Sequence, residues 1–382
     1  MDRGTRWVRW FLPGSLAAIV ALGLCTGRAE AASGKQVLVG AGVASFNDDN
    51  ILQYSRDQIA QFQSGLAPDR FSIRSADDRV LRPSLSLALE NRMKRGRSWR
   101  LSLRGGGEFH DKNKTADRHS MSAEWRQSFS RATVLTLRGY YLPGFYLRQL
   151  FDDDAPAVPT RYRRAVFALA TGSLALKQRI KPGYWAGLAY RYEHRDYNPD
   201  FVERNSATHQ AVGEVTWTRL PGRGSLALHG GYRRTDAKVA DGDELPGAPP
   251  DDPDIGYHGV LAGLDGRVDL ARGRDTGVVV SFGYELGTRD YTSKQATDRY
   301  HFGRNDVSHS VDVGLAWSPW RRWSLQGSYS YQQNAAHLGS AAPPSSEVGS
   351  YRENRVGLGV EWWGILWRGA SRPETPDTNE EP

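Results

Sequence analysis

The sequence predicts an all-β protein, a closed up-and-down antiparallel transmembrane β-barrel of about fourteen strands. Three observations predict this fold. Segments with alternating apolar and polar residues follow one another along the chain, and a period of two is that of a β-strand. The connections between these segments alternate between short and long. Aromatic residues form 11% of the chain and gather near the segment ends, as the two interfaces of a membrane favour.

The beginning of the chain is typical of a secretory signal peptide. A basic start precedes the apolar run FLPGSLAAIVALGLC (residues 11–25), and AEA (residues 29–31) supplies the small residues that a signal peptidase reads. We therefore expect residues 1–31 to be cleaved and the remaining chain to be exported. The only cysteine, Cys25, lies in this segment, so we expect no disulfide in the exported part.

The alternating segments define the predicted strands. We expect the barrel to occupy residues 32–367 and the Pro-rich polar residues 368–382 to form a disordered periplasmic tail. The predicted strands cover residues 36–46, 80–93, 98–112, 119–129, 133–150, 161–180, 184–198, 205–219, 225–239, 256–272, 276–292, 303–318, 323–335 and 351–367.

The lengths of the connections assign the two ends of the barrel. Short turns such as KRGR, SR and KPG alternate with longer connections, among which 47–79, 240–255 and 336–350 are the longest. In a transmembrane barrel, the turns on the periplasmic side are tight and the extracellular loops vary in length. We therefore expect these three segments to be extracellular loops.

One segment leaves the strand count open. Pro143 and Gly144 lie within the predicted strand 133–150, although proline is disfavoured inside a sheet. We interpret the pair as a kink or bulge, because a turn there would break the alternation of connection lengths. Counts of twelve and sixteen strands stay open.

The two faces of the predicted strands differ in polarity. In TGVVVSFGYELGTRDY, Phe282 and Tyr284 lie on one face, whereas Glu285 and Arg289 lie on the other. In a transmembrane barrel the apolar face contacts lipid and the charged face lines the interior. Nine arginines and seven carboxylates are then predicted to line the lumen as pore candidates: Arg82, Arg100, Arg104, Glu108, Glu124, Arg126, Arg138, Arg191, Glu193, Arg233, Asp265, Arg267, Glu285, Arg289, Asp312 and Glu361.

Aromatic residues near the strand ends predict two interfacial girdles. Tyr331 lies toward a long-loop end of its strand. Six tryptophans lie near short turns: Trp99, Trp185, Trp217, Trp317, Trp323 and Trp367.

These features resemble the outer membrane β-barrel proteins of Gram-negative bacteria, among which fourteen-stranded channels are known. The segment RVGLGVEWWGILW (residues 355–367) is similar to the aromatic-ended final strand that the barrel assembly machinery reads in this class. The chain departs from that pattern because RGASRPETPDTNEEP follows it. The resemblance implies the bacterial outer membrane as location, with lipid, lipopolysaccharide and the assembly machinery as partners.

The sequence favours a channel for small polar solutes, because a barrel of this size leaves room inside. The excess of arginine suggests a mild preference for anions. The alternative is a non-conducting structural, adhesion or assembly barrel whose lumen is filled by loops and ion pairs. In NILQYSRDQIAQFQSG (residues 50–65), apolar residues at roughly helical spacing suggest a helix that narrows the mouth; a surface loop with its own small cluster is the other interpretation.

Other functions find little support in the sequence. No H-x-x-x-H pair and no G-x-S-x-G motif is present, so we expect neither a metal site nor an enzyme, and no cofactor. The net charge of +7 is explained by periplasmic turns and the lumen, so we expect no nucleic-acid binding.

Overall fold

The computed structural model describes residues 34–66, 68–93, 96–151, 162–220, 223–237, 255–272, 276–294, 298, 301–320, 322–338 and 349–368. The predicted signal peptide, residues 369–382 of the predicted tail, and residues 240–254 and 339–348 of the predicted loops lie outside these residues. Among the described residues, no helix is long and apolar enough to cross a membrane.

The described chain forms fourteen antiparallel strands. Their bounds agree with the predicted segments to within three residues at every end, and the prediction of a fourteen-stranded barrel is confirmed. The strands are β1 (Lys35–Asp48), β2 (Asp78–Arg92), β3 (Ser98–His110), β4 (Arg118–Ser128), β5 (Thr133–Phe151), β6 (Tyr162–Lys181), β7 (Tyr184–Tyr197), β8 (Ser206–Leu220), β9 (Gly224–Ala237), β10 (Tyr257–Arg272), β11 (Gly277–Tyr291), β12 (Arg304–Trp320), β13 (Trp323–Leu338) and β14 (Tyr351–Arg368).

The sheet closes on itself. Each strand pairs with the next along the chain, and β1 pairs with β14. Val43 in β1, for example, opposes Val360 in β14 on one side and Pro83 in β2 on the other. Because every strand has two neighbours, the barrel has no open sheet edge, which is what a β-structure needs to cross lipid.

The segment with Pro143 and Gly144 remains within one strand. The pairing of β5 with β6 shifts register between Leu142 and Phe145, so the two residues form a bulge, as we predicted. A bulge accommodates proline because the extra residue does not need to donate to the ladder.

Two glycines allow close approaches that a side chain would prevent. Gly106 in β3 lies beside Pro83 of β2, and a Cβ atom on it would lie 2.8 Å from the carbonyl oxygen of Pro83. Gly183 has a φ of +89° in the two-residue turn between β6 and β7, a conformation that favours glycine.

The outer face of the barrel is apolar. Ser84 of β2 borders an internal cavity, so its neighbour Leu85 points outward, and 59% of Leu85 is exposed. Leu358 of β14 is 74% exposed. Large apolar side chains left this exposed need a nonaqueous surrounding, as the sequence pattern predicts.

In the described parts of the connections there are one helix and three short 3-10 segments. Helix α1 spans Arg56–Gln63 and belongs to loop 1, which we define as residues 49–77 between β1 and β2. The 3-10 segments are Pro68–Arg70, Lys114–Ala116 and Pro199–Arg204.

Candidate functional site

A cavity of about 900 Å³ lies inside the barrel, toward the ends of the strands that carry the longer connections. Its wall comes from loop 1, from β2 through β7 and from β11 through β14. Because strands from opposite sides of the closed sheet contribute, the cavity is part of the barrel interior.

Arginine dominates the charge of this wall. Two carboxylates, Glu108 and Asp306, are among the described residues that border the cavity. Ten arginines border it: Arg70, Arg82, Arg104, Arg118, Arg148, Arg195, Arg204, Arg289, Arg304 and Arg355. The excess gives the cavity a positive potential, which low-dielectric walls concentrate.

Most of these arginines have an oxygen partner. Glu108 forms ion pairs with both Arg82 and Arg118. Carboxylates behind the wall pair with others, since Arg195 Nη2 lies 2.8 Å from Glu193 Oε1. Such pairs hold the guanidinium groups in fixed positions and leave the total charge of the wall positive.

Arg289 is the exception. It makes no ion pair or hydrogen bond with any residue that the structure describes, and its Nε atom is buried without a partner. Its cross-strand partner is Asp306. The Asp306 carboxylate accepts 2.7 Å hydrogen bonds from Arg304 Nε and Nη2 and a 3.2 Å bond from Asn334 Nδ2. The guanidinium of Arg289 is therefore free for another acceptor.

A second guanidinium lies close to that of Arg289. The Cζ atoms of Arg289 and Arg233 lie 5.5 Å and 5.8 Å from the ring centroid of Tyr257. Arg233 Nη2 donates a 3.3 Å hydrogen bond to the carbonyl oxygen of Thr288, and its Nε atom has no partner among the described residues. Two cations around one aromatic ring favour an anion between or beside them.

Strands β5 and β6 contribute an apolar patch to the cavity wall. Leu142, Phe145, Phe167 and Leu169 border the cavity there. The ring centroids of Phe145 and Phe167 are 5.0 Å apart, and those of Phe167 and Tyr197 are 4.9 Å apart. The cavity therefore has an apolar patch on β5 and β6, while arginines border it on both sides of the barrel, with Arg118, Arg148 and Arg195 nearest to the patch.

Loop 1 forms the outer boundary of this cavity. Ser55 caps helix α1, because its hydroxyl accepts from the Gln58 amide while the Gln58 side chain accepts from the Ser55 amide. The predicted helix is thus present over part of residues 50–65. Tyr54 is 2% exposed and packs with Leu52, Phe71 and the wall residue Tyr146, so the cluster is not confined to the loop.

The contacts of loop 1 lie on both sides of the barrel mouth. Gln53 Nε2 donates a 2.9 Å hydrogen bond to Glu353 of β14. On the other side, Arg148 of β5 donates a 2.9 Å bond to the carbonyl oxygen of Leu52. Burial raises the pKa of Tyr54 to about 12, so its phenol stays neutral between these contacts.

The predicted lumen residues have different places. Arg82, Arg104, Glu108 and Arg289 border the main cavity. Arg138 and Arg191 border a second recess of about 480 Å³ on the wall of β5 through β8. Arg138 also pairs with Glu124 at 2.6 Å, and Arg191 pairs with Glu193 at 2.9 Å.

The other predicted residues border neither recess. Arg100 and Arg126 are cross-strand partners. Arg267 pairs with Asp269 at 3.3 Å, and Glu361 accepts a 3.2 Å hydrogen bond from Gln326. A carboxylate oxygen of Asp265 lies 3.4 Å from one ring nitrogen of His229, and a carboxylate oxygen of Glu285 lies 3.8 Å from the other. Asp265 and Asp312 are both cross-strand partners of Gly283, one on each side of it.

The predicted girdle tryptophans lie at the short-turn ends of their strands. Trp323 begins β13, and its cross-strand partners are Trp320 and Trp362. Tyr331 lies midway along β13. The other members have these partners: Trp99 with Asn91, Trp185 with Thr216, Trp217 with Tyr184, Trp317 with Leu325 and Trp367 with Val37.

Several cavity residues are absent from the predicted set. Arg195, Arg304 and Arg355 share the strand face of predicted members, so the alternation could have identified them if it had been followed to the strand ends. Arg204 follows β7 in a 3-10 segment, where no two-residue period exists. Among the described residues, no group of three or more His, Cys, Asp or Glu could hold a metal ion.

No protein-family model matches the sequence, and no curated protein matches it. The chain is similar to the solved structure of OccAB3 from Acinetobacter baumannii, with a TM-score of 0.41, 10% identity, and coverage of 87% of this chain and 99% of that one. An anion-selective porin from Comamonas acidovorans gives a TM-score of 0.39 at 11% identity, covering 86% and 100%. A bacterial polysaccharide outer membrane secretin gives 0.40 at 10% identity, covering 84% and 97%. With TM-scores this low, nothing about function is transferred from these proteins to this chain.

Proposed function

We propose that this chain is a channel for small polar solutes in the bacterial outer membrane and that it prefers anions. The observation that carries the proposal is the interior cavity, bordered by ten arginines and two carboxylates. A wall of one charge lowers the energy of an ion of opposite sign on its way through a pore.

The membrane location rests on the distribution of polarity between the faces. Leu85 and Leu358 are more than half exposed on the outside, whereas charged side chains lie inside. A soluble barrel would have the opposite arrangement. Residues 1–31 would direct export, the assembly machinery would insert the barrel, and lipid and lipopolysaccharide would surround it. No enzymatic role is proposed.

A second candidate is a barrel that does not conduct. Loop 1 favours it, because the Tyr54 cluster and the hydrogen bonds of Gln53 and Arg148 hold the loop between β14 and β5. In this case the interior would be closed, and the barrel would serve a structural, adhesion or assembly role.

Conductance separates the two candidates. The purified barrel is inserted into a planar lipid bilayer, and current is recorded under voltage in KCl. We expect discrete, steady current steps. A folded barrel that inserts but carries no current would overturn the channel and favour the closed barrel. A variant without residues 50–65 shows whether loop 1 narrows the pore, since its steps should be larger.

A further inference from the structure

We propose that the cavity binds a small amphipathic carboxylate, with the carboxylate on Arg289 and the hydrocarbon part on the apolar wall of Phe145 and Phe167. The inference deepens the proposed function, because it names the class of solute that the channel would hold. It rests on the juxtaposition, within one cavity, of aromatic rings and a guanidinium that pairs with no described residue.

The charged end of the site is Arg289. The Nε atom of its guanidinium is inaccessible to solvent, and no described residue accepts a hydrogen bond from this atom. Its cross-strand partner on β12, the carboxylate of Asp306, accepts hydrogen bonds from Arg304 and Asn334. A planar carboxylate with two acceptor oxygens complements the fork of a guanidinium. The positive charge on Arg233 adds to the attraction, since both arginines approach the Tyr257 ring.

The apolar end of the site is the wall of β5 and β6. Phe145 and Phe167 lie ring to ring and border the same cavity as Arg289. Arg118 and Arg195 lie over these rings, with Cζ atoms 4.8 Å from the Phe145 centroid and 5.5 Å from the Phe167 centroid. The rings themselves offer nothing to an inorganic anion, whereas an aliphatic or aromatic group packed against them would be removed from water.

The size of the cavity suits a ligand of this class. At about 900 Å³, the cavity lies within the range of small-molecule sites in proteins, about 300–1,000 Å³. Small inorganic ions would leave most of this volume to water. A mixed lining of aromatic residues with a few oriented polar groups is also typical of such sites.

The test measures binding to the purified, folded barrel by calorimetry. The probe is 3-phenylpropionate, and the matched probes are 3-phenylpropionamide, which has no charge, and acetate, which has no aromatic part. We expect 3-phenylpropionate to bind at least about tenfold more tightly than either matched probe, since one good charge-assisted contact or one buried ring is worth that much. Equal binding of the amide, or of acetate or inorganic phosphate, would overturn the proposal.

Variants locate the site. Arg289→Gln should weaken 3-phenylpropionate binding at least about tenfold and leave the weak binding of the amide unchanged. Phe145→Ala should weaken 3-phenylpropionate but not acetate. Arg97→Gln changes an exposed arginine in the short turn between β2 and β3 and should have no effect. Retained affinity in folded Arg289→Gln would contradict the assignment.

Current recordings keep this proposal distinct from the channel itself. Addition of 3-phenylpropionate should interrupt the current through the wild-type barrel, and Arg289→Gln should shorten the interruptions. A conducting barrel without binding would refute the carboxylate site and leave the channel standing. Binding by a silent barrel would refute the channel and leave the site standing.

Discussion

Arg289 and Asp306 are cross-strand partners on β11 and β12, but the carboxylate of Asp306 accepts from Arg304 instead. Arg304 precedes Asp306 by two residues on the same face of β12, and its side chain reaches the carboxylate at 2.7 Å through both Nε and Nη2. Among the described residues, the closer pair leaves Arg289 without an ion-pair partner of its own in the cavity. This arrangement accounts for the proposed anion preference better than the total charge of the chain does.

Asp306→Asn should destabilise the barrel. Asp306 is 1% exposed, and loss of one partner from a buried ion pair costs about 3–5 kcal/mol because the remaining charge stays buried. Asp236→Asn is the matched control, since Arg234 and Asp236 have the same spacing and a 2.7 Å contact but are largely exposed. Its cost should be below about 1 kcal/mol. Urea unfolding of the refolded barrels measures the free energy of unfolding of both variants. Equal losses of stability would show that the Asp306 ion pair is worth no more than an exposed one.

Tyr54→Ala should release loop 1. The ring of Tyr54 packs edge-on against Phe71, with centroids 5.4 Å apart, and removal of a buried aromatic side chain costs about 3–5 kcal/mol. We expect larger current steps and faster proteolysis within loop 1. Leu66→Ala changes a residue of the same loop that is 64% exposed and should alter neither.

Tyr54→Phe refines this test. The Tyr54 hydroxyl is buried and has no hydrogen-bond partner among the described residues, so its removal should not weaken the cluster. We expect current steps and proteolysis like those of the wild type. A loop released equally by Tyr54→Phe and Tyr54→Ala would show that the hydroxyl, not the packing of the ring, holds loop 1.

Acid should loosen the segment around His301. Burial lowers the pKa of His301 below its usual value of 6.5, and the nearby charges of Arg204 and Arg304 act in the same direction, against Asp298. The folded state therefore binds this proton more weakly than the unfolded state. The stability that the segment contributes is complete above about pH 6.5 and decreases as the pH falls below it.

Hydrogen exchange of residues 301–303 measures this effect. The wild type is compared with His301→Gln at the same pH, above and below about pH 6.5, so that the intrinsic exchange rates cancel. We expect extra exchange in acid for the wild type alone. An equal change in both proteins would assign the acid effect to another group.

Leu358→Arg should destabilise the barrel in lipid by about 2–4 kcal/mol if the side chain lies near the middle of the bilayer. Leu358 is the most exposed large apolar residue of β14. Gln326→Arg is the control, because Gln326 on the neighbouring strand contacts Glu361, which would pair with the new arginine. Unfolding in liposomes of both variants gives the comparison. A smaller cost for Leu358→Arg than for Gln326→Arg would reverse the assignment of the faces.

The alternation of apolar and polar residues predicted the strands and their count, because one face of each strand is consistently apolar and the other consistently polar. It could not follow the faces through the bulge at Pro143 and Gly144. Leu142 and Phe145 both border the cavity, although a strict period of two would place them on opposite faces. The pairing of Asp306 with Arg304 was also beyond prediction, because side-chain conformation decides it and the register alone favours Arg289.

The reversal potential of the purified barrel in a KCl gradient across a planar bilayer tests the central claim most directly. An interior with ten cavity-facing arginines and two carboxylates should admit chloride more readily than potassium. We expect a reversal potential displaced toward the chloride equilibrium potential. Displacement toward the potassium equilibrium potential would contradict it.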